Sequence, residues 1–341
     1  MVNKMSLKIS LLTALMVMFS IGADAADIGF SAIKQRQRLI CGVDLDYPYL
    51  AKKQDGRSEG FDADMCRAFT LSILKDADSF TLLPIKSDKI GAALNSGKID
   101  VMLGHNELSS PTEAQNYITP LDIIYYDRLV FAARQKKDDA ASMKDYAGSK
   151  VCVMADSPAY DYLVRYNAKY ALGFSYIKFP YSAAVKEAFY LRRCDLLAGD
   201  EIFVTSVVKD LHNNEAQVLP EEFGLVAVKY YVSAANNTLS IALRSVVNAL
   251  KMAGQLDINS NNFAIFKSDA TPSVQNMMGE NITYWQKLGL SPEWLSKYIE
   301  NYGNYNDLIE RGFGALSPLK IDSKINLPYS QGGMITSRPL L

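Results

Sequence analysis

Histidine and tryptophan are nearly absent from this chain, at two residues each among 341, and cysteine is limited to four. Neither His105 nor His212 stands near a cysteine in sequence, and no Cys-x-x-Cys occurs. A metal site of the usual tetrahedral spacing therefore has no ligands. Closely spaced glycines between a strand and a helix are missing, which excludes a phosphate-cradling loop; the Gly332-Gly333 pair falls in a tail turn. No hydrolase-like Ser/His/Asp order stands out. Neither sign of charge is in surplus: 36 Lys+Arg stand against 37 Asp+Glu, a net charge of −1, with no basic block. A nucleic acid or an anionic membrane surface has nothing to hold on to. Past residue 25 no apolar run approaches the roughly 20 residues that a membrane-spanning helix needs. Internal repeats are missing too, and 49% hydrophobic with 21% charged residues excludes disorder.

What is present begins with a leader. Lys4 and Lys8 precede an apolar segment over 9–22, and Ala23-Asp24-Ala25 reads as a small-x-small cleavage site. Residues 1–25 are expected to be a cleavable signal peptide, leaving Ala26 first in an exported chain. The first cysteine, Cys41, is too far from that point for a lipid anchor. Four cysteines in an exported chain favour disulfides over metal. Of the three possible pairings we take the neighbours, Cys41–Cys66 and Cys152–Cys194, because each joins a strand-like run to a nearby segment. Each bond would contribute roughly 3–4 kcal/mol on a chain-entropy estimate.

The remaining length, about 315 residues, suggests two compact units. Strand-like runs at 39–43, 80–84 and 99–103 alternate with helix-like segments at 61–74 and 89–96. A polar, charged break at 134–142 follows, and then a second series of strands at 151–154, 176–179 and 195–197 with helices at 159–169, 183–192 and 201–211. From Asn236 the pattern turns helical, beginning with a long amphipathic helix over 238–253. Alternation of this kind predicts an α/β fold with a mainly parallel sheet. The late helices should pack back on the first unit. That makes a discontinuous first lobe, 38–134 plus 232–341, an inserted second lobe, 135–231, and a cleft between them. At one wall of that cleft, the run 39–43 breaks into an acidic, aromatic loop containing Asp44, Asp46, Tyr47 and Tyr49. Ligands of such sheets sit at the carboxyl ends of the strands, where these residues fall. The helix that returns from Gly60 places Phe61, Met65, Ala68 and Phe69 on one side.

These residues carry a resemblance. Cys41-Gly42-Val43 with Gly60-Phe61-Asp62-Ala63-Asp64-Met65-Cys66-Arg67-Ala68, then Ser96-Gly97-Lys98-Ile99-Asp100-Val101, Val151-Cys152-Val153 and Arg193-Cys194-Asp195 are similar to the periplasmic polar amino-acid-binding proteins of ABC importers (solute-binding protein family 3). The tail segment from Gly303 to Arg311 and Gln331-Gly332-Gly333-Met334 extend the likeness to nearly all of 38–341, closest to the general L-amino-acid-binding branch. The resemblance implies a two-lobed periplasmic-binding-protein fold of type II, without cofactor or catalysis. It also implies a monomeric periplasmic receptor that delivers a small polar ligand to a membrane permease. Among site residues it implies Asp200 for the ligand ammonium, Tyr47 or Tyr49 for stacking, and Asp44 as a polar contact. Ser110 and Thr112 stand for the family's Ser-x-Thr pattern, and Ser157 for a hydroxyl on the carboxylate. His105 lies in the segment that lines the cleft.

One departure matters. The arginine that grips the α-carboxylate in the family reads Gln115 here, or Thr112 in a slightly shifted alignment, and the Gly-Thr of the second lobe reads Asp156-Ser157. A carboxylate ~4 Å from the ligand's anionic end costs about 4 kcal/mol at an effective dielectric of roughly 20. Either Arg128, Arg134 or another cation supplies the missing charge, or the ligand, an amino acid or amine-bearing compound, is not an ordinary α-amino acid. Two further readings stay open: an exported, cyclohexadienyl-dehydratase-like enzyme with His105 and Glu107 as acid and base, and a ligand-silent accessory protein that docks on a periplasmic partner.

Overall fold

The first strand is short and apolar because it is covered on both faces: Leu39, Cys41 and Val43 are buried, and Gly42 between them is equally enclosed. The computed structural model describes residues 28–341 apart from 45–46, 48, 55, 105–107, 135–142, 212–214 and 270. The expected leader, Asp46, both histidines, Glu107 and most of the charged break lie outside the described residues. In chain order the strands are β1 (Leu39–Val43), β2 (Lys52–Gln54), β3 (Arg57–Glu59), β4 (Phe80–Pro84), β5 (Val101–Met102) and β6 (Ile118–Ala133). They continue with β7 (Lys150–Met154), β8 (Ser175–Phe179), β9 (Leu196–Asp200) and β10 (Gln217–Ser233). The helices are α1 (Ile28–Arg36), α2 (Phe61–Leu74), α3 (Ile90–Asn95), α4 (Ser110–Gln115), α5 (Pro158–Tyr170), α6 (Ser182–Tyr190) and α7 (Glu201–Lys209). After β10 come α8 (Asn237–Gln255), α9 (Phe263–Phe266), α10 (Pro272–Met278), α11 (Ile282–Lys287), α12 (Trp294–Tyr302) and α13 (Tyr305–Gly312).

Eight strands form one sheet in the order β4-β1-β5-β10-β6-β9-β7-β8, and β2 and β3 make a separate hairpin. The parallel pairings predicted from the alternation occupy its two ends, β1 with β4 and β5, and β7 with β8 and β9. The centre is different. β6 and β10, 16 and 17 residues long, run antiparallel to one another and to their outer neighbours. The sheet is therefore mixed, not mainly parallel through its middle. Neither long strand was visible in the sequence, because four register shifts interrupt their pairing. Three of them are offsets of one residue, which swap the faces to which successive side chains point, so no continuous period of two survives.

Local signals explain where the site-bearing elements begin. α2 starts at Gly60, whose φ of 108° suits glycine, and a Cβ there would stand 2.4 Å from the carbonyl oxygen of Leu50. α5 starts at Ser157, whose Oγ accepts from the Tyr160 N–H at 3.2 Å, with Pro158 in the first turn. The helices after β10 return to the front of the chain, where α8, α12 and α13 pack on α2. Both expected disulfides are formed: Cys41–Cys66 ties β1 to α2 with Cα atoms 6.4 Å apart, and Cys152–Cys194 ties β7 to the turn before β9 at 5.7 Å.

Candidate ligand-binding cleft

Two chain segments from opposite halves of the sheet meet at one point. After β1 the backbone turns, with Leu50 N–H donating to the Tyr47 carbonyl at 2.9 Å, and this carries the Tyr47 ring inward to 6% exposure. At the end of β9, Asp200 takes the N-cap position of α7 but makes no side-chain cap bond there. Its Oδ2 instead accepts from the Tyr47 hydroxyl at 2.8 Å. The α7 start is served by Asp127 of β6, which accepts from the Ile202 N–H at 3.4 Å. Phe203, on the first turn of α7, sets its ring 6.2 Å from that of Tyr47. Burial, reinforced by the charges of Asp200 and Asp44, pushes the Tyr47 phenol well above its usual range, so it remains a protonated donor.

This meeting closes one side of a cavity of about 160 Å³. Tyr47, Ser87 and Leu108 come from the β1–β5 side; Met154, 156–159, Ser182, 198–200 and Phe203 come from the β7–β9 side. The carboxyl ends of β7 and β9 and the starts of α5, α6 and α7 thus converge on one space. Asp156 and Asp200 are its charged lining residues, and no lysine or arginine lines it among the described residues.

Among the site residues predicted from sequence, the structure gathers Tyr47, Ser157 and Asp200 around the cavity. Ser157 also has a local duty: besides capping α5, its Oγ donates to the Met154 carbonyl at 2.8 Å. Asp44 is half-buried and acts on Tyr47 through its charge. Tyr49 points away, toward a separate surface groove of about 840 Å³. Ser110 and Gln115 are exposed on α4, and the Thr112 hydroxyl lies 2.9 Å from that of Ser109; none of the three lines the cavity. His105 lies outside the described residues. The two arginines considered as substitutes are engaged elsewhere. Arg128 donates to Glu201 at 2.8 Å and to the Asp322 carbonyl at 2.7 Å, and Arg134 donates to the Phe189 and Tyr190 carbonyls, both at 2.6 Å. Ser87, Ser182 and Phe203 were missed in the sequence. Ser182 and Phe203 follow strand-like runs at helix starts, a placement that offered a signal; Ser87 offered none.

No protein-family model matches the chain. YhdW of Escherichia coli (strain K12), whose name assigns it to the amino-acid ABC transporter-binding proteins, is 26% identical over 340 residues, covering 97% of this chain and 98% of that protein. The general L-amino acid-binding periplasmic protein AapJ of Rhizobium johnstonii is 25% identical over 326 residues, 94% of this chain and 95% of that one. Among solved structures, a periplasmic binding protein of an ABC transporter from Brucella ovis, with glutathione bound, superposes with a TM-score of 0.82 at 26% identity. It covers 92% of this chain and 99% of that one. Over nearly its whole length the chain is similar to solute-binding proteins of amino-acid ABC importers.

The protein accordingly has the two-lobed fold of periplasmic binding proteins and is a solute receptor that works outside the cytoplasm. In the described residues no helix is long and apolar enough to cross a membrane. The volume of the cavity, about 160 Å³, is below the roughly 300–1,000 Å³ of sites for drug-sized ligands.

Proposed function

We propose that the binding protein captures a small amine-bearing solute, an amino acid or a close relative, in the periplasm and delivers it to an ABC permease. One observation carries the reading: Asp200 stands at the end of a strand beside a helix start, leaves the capping of that helix to Asp127, and turns its carboxylate to the cleft. A carboxylate placed there is an acceptor for an ammonium group, in a bond stronger than a neutral one. Ser157 is the second-lobe hydroxyl of the same site, and Asp44 adds negative charge at its edge. The chain is exported on the leader over 1–25 and acts as a monomeric receptor rather than an enzyme. Its lobes, 38–134 plus 232–341 and 135–231, close about the long strands β6 and β10.

A thermal-unfolding screen of amino acids, amines and glutathione tests this. A ligand at a hundred times its Kd stabilises the fold by about 2.7 kcal/mol and raises Tm accordingly. Asp200→Asn should abolish the shift while leaving the ligand-free protein folded. If no amine-bearing compound shifts the wild-type protein, the reading fails.

A further inference from the structure

One polar group in the cleft wall is left unsatisfied by the fold. Ser182, the first residue of α6, is 6% exposed and lines the cavity, and its Oγ has no hydrogen-bond partner among the described residues. Buried serines nearby behave otherwise: Ser157 Oγ donates to Met154, and Ser206 Oγ donates to the Phe203 carbonyl at 2.7 Å. Buried hydroxyls are nearly always hydrogen-bonded, because desolvating one without a partner disfavours the folded state. A group that accepts this cost beside a ligand cavity is placed for the ligand.

The start of α6 adds donors of the same polarity. The helix is nine residues long, and Tyr181 precedes it in an extended conformation without a side-chain cap bond. Its first N–H groups are the positive end of the helix dipole. The cavity thus has two poles: the Asp200 carboxylate and the Ser182 hydroxyl backed by a helix start. Asp156, the other acid of the lining, is exposed and solvated, so its charge is screened.

We infer that Ser182 Oγ, with the start of α6, receives the hydrogen-bond-accepting end of the ligand, a carboxylate or carbonyl, while the ligand amine goes to Asp200. The inference rests on the receptor reading above and narrows it. The chain lacks the family's carboxylate-gripping arginine, and a hydroxyl on a helix start takes over that end of the molecule. The ligand class becomes a small amino acid or its amide; a plain diamine would set its second ammonium against the positive end of α6.

Calorimetric titration of the purified chain with matched pairs tests it: L-arginine against agmatine, and L-ornithine against 1,4-diaminobutane, which differ only in the carboxyl group. The amino acid of at least one pair should bind wild type at least tenfold more tightly than its decarboxylated partner. Ser182→Ala should weaken that amino acid by about 5–20-fold and leave the decarboxylated partner unchanged. Ser182→Thr, which keeps the hydroxyl, should restore most of the loss. Ligand-free Ser182→Ala should unfold at the same or a slightly higher Tm, since it deletes an unsatisfied group; a purely structural serine would lower it. Amino-acid binding that ignores Ser182→Ala, or amines that bind as tightly as their parent acids, overturns this inference alone. Silence of the wild-type protein toward every probe overturns it together with the receptor reading.

Discussion

Tyr47 is typical of the residues that hold this molecule together: an aromatic body in the core and a hydroxyl aimed at a carboxylate. Tyr230 does the same with Asp62, and Tyr298 donates to the Asp64 carbonyl at 2.8 Å. Tyr47→Phe keeps the ring and deletes the donor to Asp200, so urea unfolding should show a loss of about 1–2 kcal/mol; an unchanged midpoint would mean the bond does not form in solution. Lys251 on α8 is the opposite case, a buried cation. It is 3% exposed and donates to the Ile123 carbonyl, and burial, partly offset by the charge of Asp122, pulls its pKa down from 10.5 to about 8. Between pH 8 and 10.5 the unfolded chain therefore holds a proton that the folded chain has released, and stability rises with pH through that window. At neutral pH the charged form costs on the order of 3 kcal/mol. Lys251→Met should lack this rise, read as the difference between wild-type and variant unfolding free energies at pH 7 and pH 10. The difference isolates Lys251 from the buried tyrosines, whose raised pKa values make stability fall above pH 10.

At the scale of elements, β6 presents a specific problem. β9 pairs with it only from Leu129 to Ala133, so its upstream half has no strand on that side. Buried backbone groups there still need partners, and side chains from later in the chain supply them. The Tyr305 hydroxyl donates to the Ile124 carbonyl at 2.7 Å. Asn326 takes both groups of Tyr126, accepting from its N–H at 2.7 Å and donating to its carbonyl at 2.8 Å. Asn326 is 2% exposed. Asn326→Ala should cost about 2–3 kcal/mol, as two half-buried backbone groups lose their partners. It should also speed amide exchange at Tyr126 more than at Phe131 on the β9-paired stretch. Equal protection at both sites would remove the strap from the account. Such an edge is not legible beforehand, because a strand sewn by side chains some 200 residues away carries no local pattern. α2 was legible to the residue, since Gly60, the acids of the first turn and the 3.6-residue apolar spacing all lie within it.

At the scale of the whole molecule, two disulfides close loops of 25 and 42 residues, one in each half of the sheet. Cys152→Ser with Cys194→Ser should lower stability by roughly 2–5 kcal/mol. Reductant should lower the Tm of the wild-type protein, which has two bonds to lose, further than that of the variant, which keeps only Cys41–Cys66. The alternating elements at the two ends of the sheet and the disulfide partners were readable from the chain alone, because each rests on residues close together in sequence or on a short motif. The mixed sheet, the strap on β6 and the composition of the cleft were decided by the tertiary structure. Tyr47 and Asp200 are 153 residues apart, and Ser182 joins their cavity only because β7 and β9 lie side by side. Strand order and bulges arise from non-local pairing, so no window of sequence contains them; Gln115 is exposed away from the cavity, and an unsatisfied serine stands in its wall instead.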